Sequence, residues 1–313
     1  MYPRLSALLL AALLFAAPAH AAEKLTVLLD WFVNPDHAPL VIARERGYFE
    51  EAGLDVELIA PADPSAPPRL VAAGQGDIAI SYQPNLHLMT KEALPLARIG
   101  TLVETPLNSL VVLKDGPVKT IADLKGRTVG FSVGGFEDAL LKKMLEGVGL
   151  TLDDITLVNV NFALSPALIA GKVDAVIGAF RNFELAQLDI EGKPGVAFYP
   201  EEHGVPAYDE LVFLAARDKL EDERFTAFLQ AVEKATIWLT NHPDEGLDIF
   251  VKAYPDLDDE LNRRAWFATL PRFAKRPMAL DEARYERFAA FMKAQGLIDD
   301  IAPLEDYAVT LKP

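Results

Sequence analysis

Cysteine is missing from all 313 positions. That excludes disulfides, thiolate metal sites and lipid attachment through a cysteine at a leader's cleavage point. Histidine is scarce, with five scattered residues. No His-Glu-x-x-His or Gly-x-x-x-x-Gly-Lys pattern occurs, so zinc-protease and P-loop chemistry have no signature. Positive charge is also short: 30 Lys and Arg stand against 46 Asp and Glu, for a net charge of −16. No long basic stripe exists, which argues against nucleic acid and anionic membrane surfaces as partners. After Ala17 no apolar run reaches the length of a membrane span.

What is present begins with a leader. Met1 to Arg4 carry one positive charge, Leu5 to Ala17 carry none, and Ala19-His20-Ala21 puts small residues where a signal peptidase reads. The pattern predicts a secretory signal peptide over residues 1–21. With no cysteine to lipidate, the mature chain is expected free in a periplasm. Its length allows one large or two medium domains with ample core.

An internal echo organises the rest. Ala73-Gly74-Gln75-Gly76-Asp77-Ile78-Ala79-Ile80 returns as Ala170-Gly171-Lys172-Val173-Asp174-Ala175-Val176-Ile177. Upstream, Gly53-Leu54 and Gly149-Leu150 each open an apolar run, Val56–Ile59 and Ile155–Val160. Strands alternating with helices imply an α/β fold with a parallel-dominated sheet flanked by helices in each copy. A period this long reads as lobe duplication, not a solenoid. Val111-Val112-Leu113 and Leu211 to Ala216 read as the strands that cross between lobes. The expected division is 22–109 plus 210–313 for lobe 1 and 110–209 for lobe 2. Leu40 to Phe49 reads as one helix. Glu221–Thr240, Asp244–Lys252, Asp258–Phe267 and Asp281–Ala294 read as four more.

Ligands of open parallel sheets sit beyond the carboxyl ends of the strands. Four loops then face the interlobe cleft. After the strand Leu25 to Leu29, the segment Asp30-Trp31-Phe32-Val33-Asn34-Pro35-Asp36-His37 carries two aromatics, two carboxylates, an amide and an imidazole. That composition suits a planar, polar small molecule. The alternative is that its aromatics plug the core and its polar groups cap the next helix. The other loops are Ser81 to Asn85, Gly178 to Glu184, and Ser132 to Phe136. In the last, Gly134 and Gly135 permit close backbone approach. Gly130-Phe131-Ser132-Val133-Gly134 also matches the Gly-x-Ser-x-Gly elbow of hydrolases, with His203 or His242 downstream. A two-lobe repeat does not fit a single hydrolase sheet.

The run Leu29-Asp30-Trp31-Phe32-x-Asn34-Pro35-Asp36-His37-Ala38-Pro39 resembles the thiamine-pyrimidine branch of the periplasmic solute-binding proteins. So do Gly47-Tyr48-Phe49, Gly76-Asp77-Ile78-Ala79-Ile80-Ser81-Tyr82, Val173 to Ala179, and Gly204-Val205-Pro206-x-Tyr208-Asp209-Glu210-Leu211. The likeness covers nearly the whole mature chain. It points to ThiY-like binders of formylaminopyrimidine and to the fungal thiamin-pyrimidine synthase. The resemblance implies a type II two-lobe periplasmic-binding-protein fold with the ligand in the interlobe cleft. It implies a monomer that delivers a thiamin-related pyrimidine to ABC permease and ATPase subunits, without a cofactor, for thiamin salvage. The synthase family joins pyridoxal phosphate to a lysine where this chain has Ser81, and carries a cysteine-rich run this chain lacks. Transport is therefore favoured over synthesis. Carried over residue by residue, Trp31 and Tyr82 would stack on the ring, and Asp30 or Glu184 would pair with its amino group and ring nitrogen. Asn34, His37, Asn182 and Tyr208 would supply further hydrogen bonds, beside Ser81, Gly134 and Gly135. Asp30 as a cap, His37 as a structural residue, Glu184 as a helix start and Tyr208 as a hinge residue remain open. Phe136 and Arg181 depart from the family pattern, and Arg181 keeps a sulfonate ligand in play.

Overall fold

The computed structural model describes residues 22–312; the expected signal peptide over residues 1–21 lies outside this span. Ten strands form two five-stranded sheets. They are β1 (Glu23–Leu28), β2 (Leu54–Ile59), β3 (Ile78–Ser81), β4 (Leu96–Val103), β5 (Asn108–Leu113), β6 (Thr128–Phe131), β7 (Thr156–Asn159), β8 (Ala175–Phe180), β9 (Gly195–Phe198) and β10 (Leu211–Ala216). The orders are β2-β1-β3-β10-β4 and β7-β6-β8-β5-β9. In each sheet one strand comes from the crossing segment and runs against the other four. β10 lies antiparallel between β3 and β4, and β5 lies antiparallel between β8 and β9. The remaining pairs are parallel. The second sheet takes up the chain at Asn108, where β5 begins, and the first recovers it at Leu211.

The repeated letters are structural staples. Gly53 and Gly149 both sit at φ +75°, and Gly74 and Gly171 at +74° and +67°, where L side chains are strained. Asp77 accepts the Thr26 N–H at 2.9 Å, and Asp174 accepts the Thr128 N–H at 3.0 Å. Each carboxylate thereby ties a βα unit to the strand beside it.

Two expectations change. The segment from Leu40 to Phe49 is two helices, Ala38–Glu45 and Tyr48–Glu51. Gly47, at φ +73°, ends the first by a left-handed turn. Strands β4 and β9 have no counterpart among the expected strands; in β4, Arg98, Gly100 and Thr101 interrupt the apolar pattern. Arg98 is fully buried there. Its guanidinium donates to the Pro277 carbonyl at 3.1 Å and Thr101 Oγ1 at 2.8 Å, and also to Ala279 O. The C-terminal helices cover lobe 1. Phe225, Phe228, Phe250, Trp266 and Phe288 join its sheet in one core, which continues into lobe 2 through Val133, Phe136 and Leu140.

Candidate functional site

The cleft lies where the first strand of lobe 1 ends. β1 stops at Leu28, and Asn34 then caps a short turn over Pro35–His37, its Oδ1 accepting the Asp36 N–H at 2.7 Å. This cap turns the chain back and leaves Asp30 and Trp31 at the cleft. Asp30, Trp31, Asn34, Asp36 and Tyr82 line it from lobe 1. Glu137, Leu164, Gly178, Phe180, Phe183 and Glu184 line it from lobe 2. The space between these residues, open solvent included, is about 420 Å³. The lobes touch around it. Tyr82 stacks on Phe136, centroids 4.7 Å apart, and Trp31 meets Phe162 edge-on at 4.6 Å. Phe32 packs on the same Phe162 ring at 4.5 Å.

Asp30 is buried and engaged at both oxygens. His37 Nε2 lies 2.9 Å from Oδ1, and the Tyr82 hydroxyl donates to Oδ2 at 3.1 Å. The Asn34 N–H donates to His37 Nδ1 at 3.3 Å, so the ring's proton sits on Nε2 and faces Asp30. Four carboxyl groups, Asp30, Asp36, Glu137 and Glu184, converge with no Lys, Arg or His in the lining. Burial disfavours the charged forms of Asp36, Glu137 and Glu184. It pushes Glu184 up to about 8, against the Phe180 N–H that Glu184 accepts at 2.6 Å. It pushes Asp36 up to about 6, opposed by His37 and by the Asn182 amide. Glu137 is held well above the usual carboxyl range by the same cause, opposed by the backbone N–H groups of Ser132 and Val133. A neutral carboxyl both donates and accepts a hydrogen bond. The cleft therefore offers acid groups and aromatic faces, and it disfavours anions.

Five of the expected residues meet in this lining: Asp30, Trp31, Asn34, Tyr82 and Glu184. Six lie outside it. His37 stands behind Asp30 and orients it. Ser81 is buried in the sheet opposite Val212. Gly134 and Gly135 are exposed; the Gly135 N–H donates to Asp138 Oδ1 and starts the helix Phe136–Glu146. Asn182 clasps the lobes, donating to Asp36 Oδ1 at 2.6 Å and Thr269 Oγ1 at 2.7 Å. Tyr208 packs against Phe288 at 5.4 Å. Glu137 and Leu164 come from helix starts that drew no attention in the sequence. An acid just after a Gly-Gly turn is also what an ordinary helix start carries, so the first had no signal of its own.

Two other readings lose their residues. Arg181 lies over the Tyr199 ring at 4.0 Å and donates to the carbonyls of Leu107 and Asn108, at 3.2 and 2.9 Å. It also pairs with Glu201. The guanidinium is committed to the crossing strands and does not line the cleft. Ser132 donates its hydroxyl to the Asn161 carbonyl. His203 packs near Phe198 and His242 stacks on Trp238, so neither serves Ser132 as a base.

Among the described residues, no helix is long and apolar enough to cross a membrane. The profile of the family described as NMT1/THI5 like matches residues 34–246. A Haemophilus influenzae protein named for thiamine biosynthesis is 51% identical over 301 residues, 96% of each chain. A Halalkalibacterium halodurans protein named formylaminopyrimidine-binding protein is 36% identical over 238 residues, 75% of this chain and 72% of that one. Among solved structures, the alkanesulfonate-binding protein SsuA from Xanthomonas axonopodis pv. citri, bound to MOPS, superposes with a TM-score of 0.73. That match has 17% identity, spans 92% of this chain and 99% of the other, and speaks for the two-lobe fold alone. With the family profile spanning both lobes, this chain belongs to the NMT1/THI5-like family.

Proposed function

We propose that this chain is the periplasmic substrate-binding component of an ABC importer for a thiamin-related pyrimidine. Formylaminopyrimidine and hydroxymethylpyrimidine are the candidate cargoes, and thiamin salvage is the use. The observation that carries this reading is the cleft itself. Trp31 and Tyr82 bring aromatic rings to the lining, while Glu184 and Asp36 bring carboxyl groups suited to an amino group beside a ring nitrogen. The relative named for formylaminopyrimidine binding supports the same ligand class. A sulfonate would need cationic donors, and the lining has none. Ser81 provides a hydroxyl and no amine for a Schiff base, so we read binding without chemistry. The two lobes would close on the ligand by a hinge at the crossing strands and present a joint surface to the permease.

Calorimetry on the mature protein with formylaminopyrimidine, hydroxymethylpyrimidine, thiamin and taurine tests the reading. Tight binding of at least one pyrimidine and none of taurine is expected. Binding of taurine alone would overturn it.

A further inference from the structure

The cleft has a second acidic wall that the first loop does not supply. Glu137, in the first turn of the helix Phe136–Glu146, is 3% exposed and lines the cleft. Its Oε2 accepts the Ser132 N–H at 2.8 Å. The chain leaves space for this carboxyl at Gly178. A Cβ at that position would lie 2.4 Å from Glu137 Oε1 and 2.6 Å from Oε2. Gly178 is at φ +96°, and its N–H donates to Asn108 Oδ1 at 3.0 Å, so its backbone is pinned where only glycine clears the carboxyl. The two lobe-two acids have different neighbours. Glu184 lies close enough to Asp36 for their charges to interact, whereas Glu137 does so with Tyr82.

We propose that Glu137 is a ligand-contacting, specificity-determining residue that receives a hydrogen-bond donor on the ring substituent of the bound pyrimidine and rejects phosphorylated forms. This inference rests on the pyrimidine reading above. The Ser132 N–H holds Oε2, and Oε1 faces the cleft to be matched by the ligand. An amine, amide N–H or hydroxyl matches it. A phosphate brings its negative charge into a lining of four carboxyl groups with no cation to pair it. Sites built around a buried hydrogen-bonding group discriminate strongly against ligands that leave it unpaired.

The test uses three pyrimidines with the same ring and different substituents: aminomethyl, hydroxymethyl, and the phosphate ester of hydroxymethyl. Calorimetry on the wild-type protein should rank them in that order, with the ester at least about a hundredfold weaker than the alcohol. Glu137→Gln should weaken the amine by about ten- to hundredfold, the cost of facing the ligand's ammonium with a neutral amide in place of a carboxylate that ionises to pair with it. The alcohol should fall by much less, so the amine-to-alcohol ratio collapses. Glu137→Ala should lose the preference as well, with a melting temperature showing that the fold persists. An unchanged ratio in both variants would make Glu137 a structural residue. An ester that binds the wild type as tightly as the alcohol would overturn the inference without any variant. If the wild type binds none of the three, the pyrimidine reading fails and takes this inference with it.

Discussion

The two lobes are built from the same letters and do different work. Asp77 and Asp174 make the same backbone hydrogen bond, and each also faces an arginine, Arg224 at 3.3 Å and Arg127 at 3.5 Å. Beyond the strands that follow, the likeness ends. In lobe 1 the chain turns into a helix at once after Tyr82, whose hydroxyl is fixed on Asp30. In lobe 2 the strand runs on to Phe180, and a short turn brings Glu184 back onto the Phe180 N–H. The acids of lobe 1 are held by side chains: His37 and Tyr82 for Asp30, Asn182 and Thr269 for Asp36. Those of lobe 2 accept from backbone N–H groups instead. What repeats is scaffold, and what diverges is the site.

Substitutions can break that comparison. The largest effect is expected at Asp30. Asp30→Ala leaves the His37 and Tyr82 donors buried without an acceptor, at a cost of roughly 2–4 kcal/mol in unfolding free energy. Denaturant unfolding would measure it, and pyrimidine affinity should fall in the same protein. Asp77→Ala and Asp174→Ala should each cost about 1.5–3 kcal/mol of stability through the lost charged acceptor, and cost it equally. Ligand affinity in the folded variants should stay near wild type. A large binding defect in either would show that the scaffold and the site are not separable.

Phe162→Ala addresses how the lobes meet. Phe162 reaches lobe 1 through Trp31 and Phe32, and each such aromatic pair is worth about 0.5–1.5 kcal/mol. The variant should release ligand up to roughly tenfold faster in stopped-flow, while its ranking of pyrimidines holds. Stability should also depend on pH. Glu184 titrates near 8 in the folded chain against an ordinary 4.5. Across that window the native state holds the extra proton. Its contribution is therefore full below about 4.5 and lost as pH rises through 8. Asp36, raised to about 6, acts in the same direction at lower pH. Melting temperature should fall between pH 5 and 9, and less steeply in Glu184→Gln.

The fold was largely legible because its signals are local. Glycines past helix ends, apolar runs after Asp77 and Asp174, and Asp281 capping the last helix all act over a few residues. Strand β4 was not, since Arg98 is tolerated only through carbonyls some 180 positions away, as at Pro277 and Ala279. The site divided the same way. Trp31, Asp30 and Tyr82 stood out as unusual residues at strand ends. Glu137 did not, because an acid in a helix's first turn is favourable anywhere. Its burial depends on the space left at Gly178, far along the chain in β8. His37 and Asn182 carried the right chemistry, but their partners are Asp30 and Asp36.

The account stands on Trp31 as a face of the binding cleft. Of the three tryptophans, it alone lines the cleft; Trp266 is buried beside Phe250, and Trp238 stacks on His242 away from the site. Intrinsic fluorescence titrated with formylaminopyrimidine, in wild type and in Trp31→Phe, reads this directly. The expected result is quenching in the wild type that disappears in Trp31→Phe, with the melting temperature nearly unchanged. Quenching that persists in Trp31→Phe, or a variant that unfolds, would make Trp31 a core residue and contradict the site built around it.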